Sequence, residues 1–115
     1  MDKKRGCIIR AGEGKAENYD WGTYLVSTAG CIDPKVFSVG QTYILPGKGH
    51  LTHSHEDMDE ILFIISGKGE ATVGESKGEV SAGDMIYVPA GVNHSLVNTG
   101  WEPLKLSPIK FSCKR

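Results

Sequence analysis

The chain has 115 residues, which is enough for one domain with one hydrophobic core. Its formal net charge of −1 excludes the strongly basic surface typical of proteins that bind nucleic acid or anionic membranes. The basic residues 1–5 lack the apolar segment of a signal peptide, and the longest apolar run, Ile61 to Ile65, is too short to cross a bilayer. We therefore expect a soluble protein that binds neither nucleic acid nor a membrane.

Short β-rich runs separated by turn residues fill most of the sequence, and no stretch of helical length keeps a 3.6-residue period. Within one domain spanning 1–115, residues 1–34 form a less regular lead-in with a possible strand at Thr23 to Ser27, and we expect it to pack on a barrel formed by 35–112. The predicted strands of that barrel are Val36 to Leu45, Glu60 to Ile65, Glu70 to Val73, Met85 to Val88, Ser95 to Val97 and Leu104 to Phe111. Turn signals at this spacing predict an all-β sandwich or barrel.

The three cysteines, Cys7, Cys31 and Cys113, are scattered, and none forms a C-x-x-C pair. An odd number at irregular spacing does not predict a disulfide framework. We therefore expect reduced thiols and a cytoplasmic protein. Cys7 and Cys113 lie near opposite termini, and the sequence leaves open whether they meet.

Two blocks of the sequence carry candidate metal ligands. In the first, His53 and His55 have the spacing that points two side chains to the same face of a strand. Glu60 follows after enough residues for a tight turn, so it can face them from the next strand. In the second block, His94 follows the turn Pro89-Ala90-Gly91. A single histidine is more often a surface or core residue, but this joint pattern is typical of a metal site.

The spacing within these blocks resembles the two signature motifs of the cupin superfamily. The first block reads Gly47, five residues, His53-x-His55, four residues, Glu60, six residues, Gly67, and the second reads Gly83, five residues, Pro89-x-Gly91, two residues, His94, three residues, Asn98. Every anchor position is filled, and glycines stand where barrel corners need a positive φ. The short segment 68–82 between the blocks resembles the inter-motif loop of small microbial cupins.

The resemblance implies a jelly-roll (double-stranded β-helix) barrel of the cupin type that forms a homodimer. It also implies one divalent transition metal held by His53, His55, Glu60 and His94. Imidazole and carboxylate ligands suit Mn, Fe, Co, Ni, Cu or Zn. An octahedral ion with these four ligands would keep two positions for a substrate, or for a substrate and dioxygen. Each ligand histidine is expected to donate its other N–H to an acceptor that the sequence does not identify.

Strand parity predicts the remaining pocket residues. Parity with the ligands places five residues inward, namely Leu51, Leu62, Ile64, Leu96 and Asn98. Of these, Asn98 is interpreted as a structural hydrogen-bonding residue, and His50, of opposite parity, as a rim residue. Met58, in the turn between His55 and Glu60, is either an apolar lid over the metal or an exposed turn residue.

Parity is ambiguous on the run before Pro46. Either Gln41, Tyr43 and Leu45 face inward, or Thr42 and Ile44 do, and we favour the first arrangement. Tyr43 and Tyr87 are then the candidate catalytic proton donors or bases. Most tyrosines in barrels serve packing alone, and this is the alternative for both.

The arginines, Arg5, Arg10 and Arg115, all lie outside the barrel-forming region. A bidentate arginine is the usual clamp for a substrate carboxylate, and the oxalate decarboxylases and thiol dioxygenases among the cupins use one. We therefore expect a mainly apolar pocket with a few polar groups, suited to a small neutral or enolisable molecule. The favoured function is a metal-dependent enzyme on a small oxygenated molecule, of dioxygenase, decarboxylase, lyase or isomerase type. The alternative is a non-catalytic cupin that binds or senses a small ligand.

Overall fold

A computed structural model of the protein describes residues 6–10, 12, 14–26, 33, 36–49 and 53–112. These residues form nine β-strands and no α-helix. The strands are β1 (Lys15–Tyr19), β2 (Gly22–Val26), β3 (Phe37–Ile44), β4 (Met58–Ser66), β5 (Lys68–Val73), β6 (Ser76–Ser81), β7 (Met85–Val88), β8 (His94–Asn98) and β9 (Leu104–Ser112). Over the same residues, no helix is long and apolar enough to span a membrane.

The strands form two antiparallel sheets around one core. The larger sheet has the order β1-β2-β3-β9-β4-β7, and the smaller has the order β6-β5-β8. Buried side chains from both sheets make up a single cluster: Ile44, Leu62, Ile64, Ala71, Ile86, Val88, Leu96, Leu104 and Leu106. The predicted all-β jelly roll is confirmed by this arrangement.

The strands with alternating or continuous apolar residues were predicted close to their observed positions, and two polar strands were missed. β1 and β6 are exposed along almost their whole length, so burial leaves no apolar pattern in their sequences. Each is held by backbone pairing with a neighbour, β1 with β2 and β6 with β5. β2 in turn pairs with β3, which joins the lead-in hairpin to the larger sheet. The division at residues 34 and 35 stays a prediction.

The favoured parity of β3 is wrong. Thr42 and Ile44 are buried, whereas Tyr43 between them is 36% exposed and Gln41 shares its outward side. The reason is that Ile44 belongs to the core, and its neighbours must alternate with it on a pleated strand. The ring of Tyr43 instead lies under the ammonium of Lys105, whose Nζ is 5.4 Å from the ring centroid.

Cys7 is disulfide-bonded, which contradicts the expectation of reduced thiols. The chain's other two cysteines, Cys31 and Cys113, lie outside the described residues. The number and spacing of cysteines did not reveal the bond, because a single bridge between distant positions has no local signature. The cytoplasmic setting, which was inferred from reduced thiols, loses that support.

The motif glycines occupy corners of the barrel as expected. Positive φ angles occur at all four: Gly47 (76°), Gly67 (89°), Gly83 (93°) and Gly91 (81°). A residue with a Cβ is strained in this region, so these turns favour glycine.

Candidate metal centre

The two ligand blocks are joined through their backbones. His53 and His94 form an antiparallel bridge in which the His53 N–H donates to the His94 carbonyl at 3.1 Å. The His94 N–H donates back to the His53 carbonyl at 2.9 Å. Residues directly opposite in an antiparallel pair point to the same side. The two imidazoles consequently lie together, with their ring centroids 4.2 Å apart.

A second clamp holds the turn that precedes His94. The Gly91 N–H donates to the carbonyl of His55 at 2.6 Å, and the Ala90 N–H donates to Asp59 Oδ1 at 2.8 Å. Asp59 is buried beside Glu60 at the start of β4. Asp59 was not predicted as a site residue, although an acidic residue at the start of an apolar strand was a usable signal. The hydrogen bond to Asp59 fixes the turn at residues 89–91 against the strand that carries Glu60.

The four predicted ligands converge on one point. The histidines each offer a ring nitrogen, and these three atoms all lie within 4.8 Å of one another. Glu60 Oε1 lies 3.2 Å from His94 Nε2 and 3.8 Å from His55 Nε2. The histidines could therefore hold a metal ion, with the carboxylate beside them.

The state of the ring nitrogens fits a metal ion. His94 Nδ1 lies 3.2 Å from the Val92 carbonyl, so the N–H there can donate to it while Nε2 points to the cluster and to Glu60 Oε1. His55 Nε2 is buried and has no hydrogen-bond partner within the described part of the chain. A buried polar atom without a partner is rare in a folded protein. A ring nitrogen of this kind, next to two more imidazoles and a carboxylate, matches the donor set that divalent transition ions prefer.

Electrostatics separate the protonation states within the cluster. Burial would raise the pKa of Glu60, but the His94 hydrogen bond and the charge of Lys110 outweigh it and hold the pKa low. Burial would likewise lower the pKa of His94, and hydrogen bonds to Glu60 and to the Val92 carbonyl raise it instead. For His55, burial and then repulsion from Lys110 lower the pKa. The metal-free site therefore favours an ionised Glu60 beside a histidine that holds its proton.

A cavity of about 710 Å³ opens over this cluster. It is lined by Glu17, Tyr19, Asp20, Trp21, Tyr24, Thr42, Lys48, Gly49, His53, Glu60, Leu62, His94, Pro108 and Lys110. The β1–β2 hairpin forms one wall, where the rings of Tyr19 and Trp21 stack with centroids 5.0 Å apart. The lining is mainly apolar, as expected, and its few polar groups include lysines and carboxylates.

Two polar residues of the cavity wall were missed from sequence, and a third belongs to the arrangement of β3 that was not favoured. Lys110 Nζ lies 3.9 Å from Glu60 Oε2 and 5.6 Å from the centroid of the Tyr24 ring. Tyr24 is hydrogen-bonded to Ser38, and burial raises its pKa. Thr42, named in the alternative arrangement, is 1% exposed. Lys110 could have been found by extending strand parity from the buried Leu106.

The structure distributes the predicted pocket residues over several environments. Leu62 lines the cavity, whereas Ile64 and Leu96 lie in the core. Met58 begins β4 half-buried and does not line the cavity, and Gln41 is on the opposite side of β3 from Thr42. Leu51 and His50 lie outside the described residues.

Asn98 has the structural role that was predicted for it. It is buried, and its Nδ2 donates to the carbonyls of Ile44 and Glu102, both at 2.8 Å. Its Oδ1 accepts the N–H of Gly100 at 2.8 Å. The side chain therefore ties the end of β8 to β3 and to the loop that leads into β9.

The structure places neither candidate catalytic tyrosine at the cavity. Tyr43 is on the outward side of β3, and Tyr87 is 49% exposed between the buried Ile86 and Val88. Both residues are therefore on the outer face of the larger sheet. The choice of Tyr43 followed from the wrong parity of β3, and Tyr87 alternates with core residues. Tyr24 is the tyrosine whose ring lies beside Lys110.

Comparison with known proteins identifies the family. Residues 40–110 match the cupin domain family, so the chain belongs to it. The match contains all four predicted metal ligands and ends on Lys110.

Relatives share the domain in different contexts. Protein MJ1618 of Methanocaldococcus jannaschii is 36% identical over 69 residues, which are 60% of this chain and 55% of that protein. Mannose-1-phosphate guanylyltransferase 2 of Escherichia coli O157:H7 is 33% identical over 73 residues, which are 64% of this chain and 15% of the enzyme. This chain therefore corresponds to about half of the first protein and a small part of the second.

A similar fold occurs in the crystal structure of a predicted oxalate decarboxylase from Thermotoga maritima. The TM-score is 0.75 at 22% identity, with 92% of this chain and 99% of that chain covered. At this identity the likeness concerns the fold.

Proposed function

We propose that this cupin is a metal-dependent enzyme that acts on a small oxygenated molecule. The observation that carries the proposal is the convergence of His53, His55, Glu60 and His94 beside a cavity, where the buried His55 Nε2 has no hydrogen-bond partner among the described residues. A barrel that needed only stability would gain nothing from this unpaired nitrogen, since burying one without a hydrogen bond costs free energy.

These four residues would hold one divalent ion, of Mn, Fe, Ni, Zn, Co or Cu. When bound, such an ion supplies a Lewis acid for a carbonyl or hydroxyl oxygen, or redox capacity for dioxygen chemistry. The reaction is accordingly of dioxygenase, decarboxylase, lyase or isomerase type. The names of the E. coli and T. maritima proteins refer to mannose 1-phosphate and to oxalate, which supports a small oxygenated substrate.

Residues of this chain would position the substrate and supply protons. The β1–β2 hairpin narrows the cavity with Tyr19 and Trp21, which limits the access of water. The Tyr24 hydroxyl is protonated at neutral pH, and burial raises its pKa further, so Tyr24 can donate a hydrogen bond into the cavity. Asp59 keeps the turn before His94 in place, which holds that imidazole against Glu60.

Metal reconstitution tests the proposal. Protein loaded with each candidate ion would be screened, with and without oxygen, against sugars, diketones, flavonols and small carboxylates. We expect turnover with at least one ion, and its loss in His53→Ala and Glu60→Ala variants. Tyr87→Phe, on the outer face, is the matched control and should retain activity. Tight binding without product in every metal form would instead establish the non-catalytic ligand-binding function.

We also propose that the outer face of the larger sheet forms a homodimer. The strand registers place four apolar residues in one row across it: Val39, Ile109, Ile61 and Tyr87. In the next row Phe63 is paired with Met85, and these are 42% and 60% exposed. An exposed apolar face of this kind is typical of a protein interface, and a second copy would cover it with the same surface.

Light scattering after size exclusion measures this association. We expect the wild-type protein to elute as a dimer and a Phe63→Glu, Met85→Glu double variant as a monomer. Trp101→Ser, at an exposed loop position away from the two rows, is the control and should stay dimeric. A wild-type monomer at all concentrations would contradict the proposal.

A further inference from the structure

A line of polar groups crosses the inner wall of the larger sheet toward the ligand cluster. It begins at the hydroxyl of Tyr24, which is hydrogen-bonded to Ser38, and continues to Lys110, which lies beside the Tyr24 ring. From Lys110 it reaches Glu60 and then His94. We propose that Lys110 is the anion-binding residue of the site and that the substrate is a small carboxylate with a neighbouring oxygen. This inference rests on the proposed metal-dependent function and names its substrate class.

Lys110 has the position that such a role requires. Its side chain is 27% exposed and lines the cavity, so the ammonium is open to a ligand while its stem is covered. Glu60 Oε2, the carboxylate oxygen paired with it within the described residues, is 3.9 Å away. That separation is beyond hydrogen-bond distance, so this carboxylate does not use the donors of the ammonium. Lys110 can therefore bind a second anion without giving up a hydrogen bond to Glu60.

The distances place such an anion next to the metal ligands. Lys110 approaches one oxygen of the Glu60 carboxylate, and His94 Nε2 approaches the other at 3.2 Å. Lys110 and His94 thus flank one carboxylate group, so an anion bound to Lys110 would lie beside the ligand cluster. A 2-hydroxy or 2-oxo acid has a second oxygen on the carbon next to its carboxylate, and that oxygen could then reach toward the cluster.

The cavity has a further polar position, the hydroxyl of Thr42. Thr42 Oγ1 is buried, and no group in the described ranges forms a hydrogen bond with it. Thr42 lines the same cavity and lies on the same face of β3 as Ser38, with Gly40 between them. Its hydroxyl is available to the part of a larger substrate that extends away from Lys110. A buried hydroxyl facing a cavity without a partner is the kind of group that a polar ligand satisfies.

Charge favours a carboxylate over a neutral ligand. A divalent ion with Glu60 and three neutral imidazoles keeps one net positive charge, and Lys110 adds another. Glu17 and Asp20 also line the cavity, but both are exposed on the hairpin, where solvent screens their charge. A phosphate dianion could use the same ammonium, so inorganic phosphate is one of the ligands in the test.

The same strand provides a matched control. Lys105 is on the outward face of β9, and its ammonium lies over the ring of Tyr43. Lys110 is on the inward face, and its ammonium lies over the ring of Tyr24. Lys105→Met and Lys110→Met therefore remove the same charge and the same type of ring contact from one strand. They differ in that Lys110 lines the cavity and Lys105 does not.

The test measures binding of lactate, of its neutral isostere lactamide and of inorganic phosphate. Calorimetry on Co²⁺-loaded protein should show lactate affinity lowered about tenfold by Lys110→Met, the loss expected for one hydrogen bond to a charged group. Lys105→Met should leave it unchanged, and Lys110→Arg should retain most of it. The affinity for lactamide should not respond to Lys110→Met. In metal-free protein, the side-chain NMR signal of Lys110 should shift on addition of lactate.

The outcomes separate this inference from the proposed function. Stoichiometric Co²⁺ binding with a lactate affinity that Lys110→Met leaves unchanged would overturn the inference alone. Absence of Co²⁺ binding would overturn the proposed function, and the Lys110 signal in metal-free protein would still decide whether this residue binds carboxylates. Phosphate binding that is tighter than lactate binding, and equally dependent on Lys110, would overturn the carboxylate assignment.

Discussion

The two faces of the larger sheet are built from alternate residues of the same strands and differ sharply in chemistry. On the inner face, Lys110 lies over Tyr24 and beside Glu60, within a cavity. On the outer face, Lys105 lies over Tyr43, which is exposed to solvent. The residue types and the type of contact are the same, so composition does not separate a site from a surface. The site is distinguished from the surface by strand parity and by the carboxylate beside the inner lysine.

The inner face is more buried than the outer face, and burial strengthens the interactions between its charges. An ion pair in solvent contributes little free energy, because water and salt screen both charges. The inner lysine and Glu60 face each other in a partly enclosed site, where charge interactions are stronger. Changes on the inner face should therefore alter metal and ligand binding, and changes on the outer face should alter association.

The largest expected effect follows from removing an inner ligand. Glu60→Gln should lower Co²⁺ affinity by more than about a hundredfold, because loss of an outer partner of a ligand alone costs about 10–100-fold. Its outward neighbour Ile61→Val should leave the affinity unchanged. Titration followed by the visible spectrum of Co²⁺ measures both. Equal affinities for the two variants would remove Glu60 from the ligand set.

A second pair of variants compares stability on the two faces of β4. Leu62→Ala should lower the free energy of unfolding by about 2–5 kcal/mol, because Leu62 is buried in the core cluster. Phe63→Ala, 42% exposed, should cost about 1 kcal/mol or less in the monomer. Urea denaturation at low protein concentration gives both values. If the free energy of unfolding lost in Phe63→Ala grows with protein concentration, a second copy covers this face.

The inner face should also respond to pH in two opposite directions. Since the pKa of His94 is raised, the metal-free protein is stabilised below about pH 6.5 and loses that stabilisation as the pH rises through the raised value. Metal affinity should change the other way, increasing over the same range by up to about tenfold per pH unit, since the His94 proton must leave before Nε2 can bind. Calorimetric titrations between pH 5.5 and 8.5 measure the trend. A His94→Gln variant whose stability kept the same pH dependence would contradict this account.

The smallest expected effect has the opposite sign from an ordinary core substitution. Thr42→Val keeps the shape of the side chain and removes a buried hydroxyl that forms no hydrogen bond with the residues the structure describes. The free energy of unfolding should therefore stay the same or increase by about 1 kcal/mol. Ser107→Ala, on the outward face of β9, is the comparison and should destabilise, because its hydroxyl donates to the Gly40 carbonyl at 2.8 Å. A clear loss of stability in Thr42→Val would mean that the hydroxyl has a structural partner.

Features encoded by fixed spacing could be predicted from sequence. Short strands between turn residues predicted the all-β fold, and the motif spacing predicted the cluster of His53, His55, Glu60 and His94. The role of Asn98 followed from its place at the end of the second motif and its inward parity. These predictions succeeded because the local backbone geometry, including glycines with positive φ, is determined by a few neighbouring residues.

Features that depend on pairing between distant segments could not be predicted as well. On β3, Thr42 and Tyr43 are both good strand formers, so the sequence did not show which one faces the core. β6 is polar except for Val80, and backbone pairing with β5 holds it in the sheet. Lys110 lies outside both motifs, so their spacing did not mark it as a site residue. The disulfide of Cys7 joins positions that are not adjacent in sequence.

The reciprocal backbone hydrogen bonds between His53 and His94 link metal binding to the folding equilibrium. These two residues belong to separate sequence blocks and meet only when the barrel has closed. An unfolded chain therefore offers the ion scattered imidazoles in place of a converged set. An ion that binds the native state alone raises the melting temperature in proportion to the logarithm of its concentration relative to Kd. The thermal midpoint of the protein should thus report the occupancy of the site, and chelation should return it to the metal-free value.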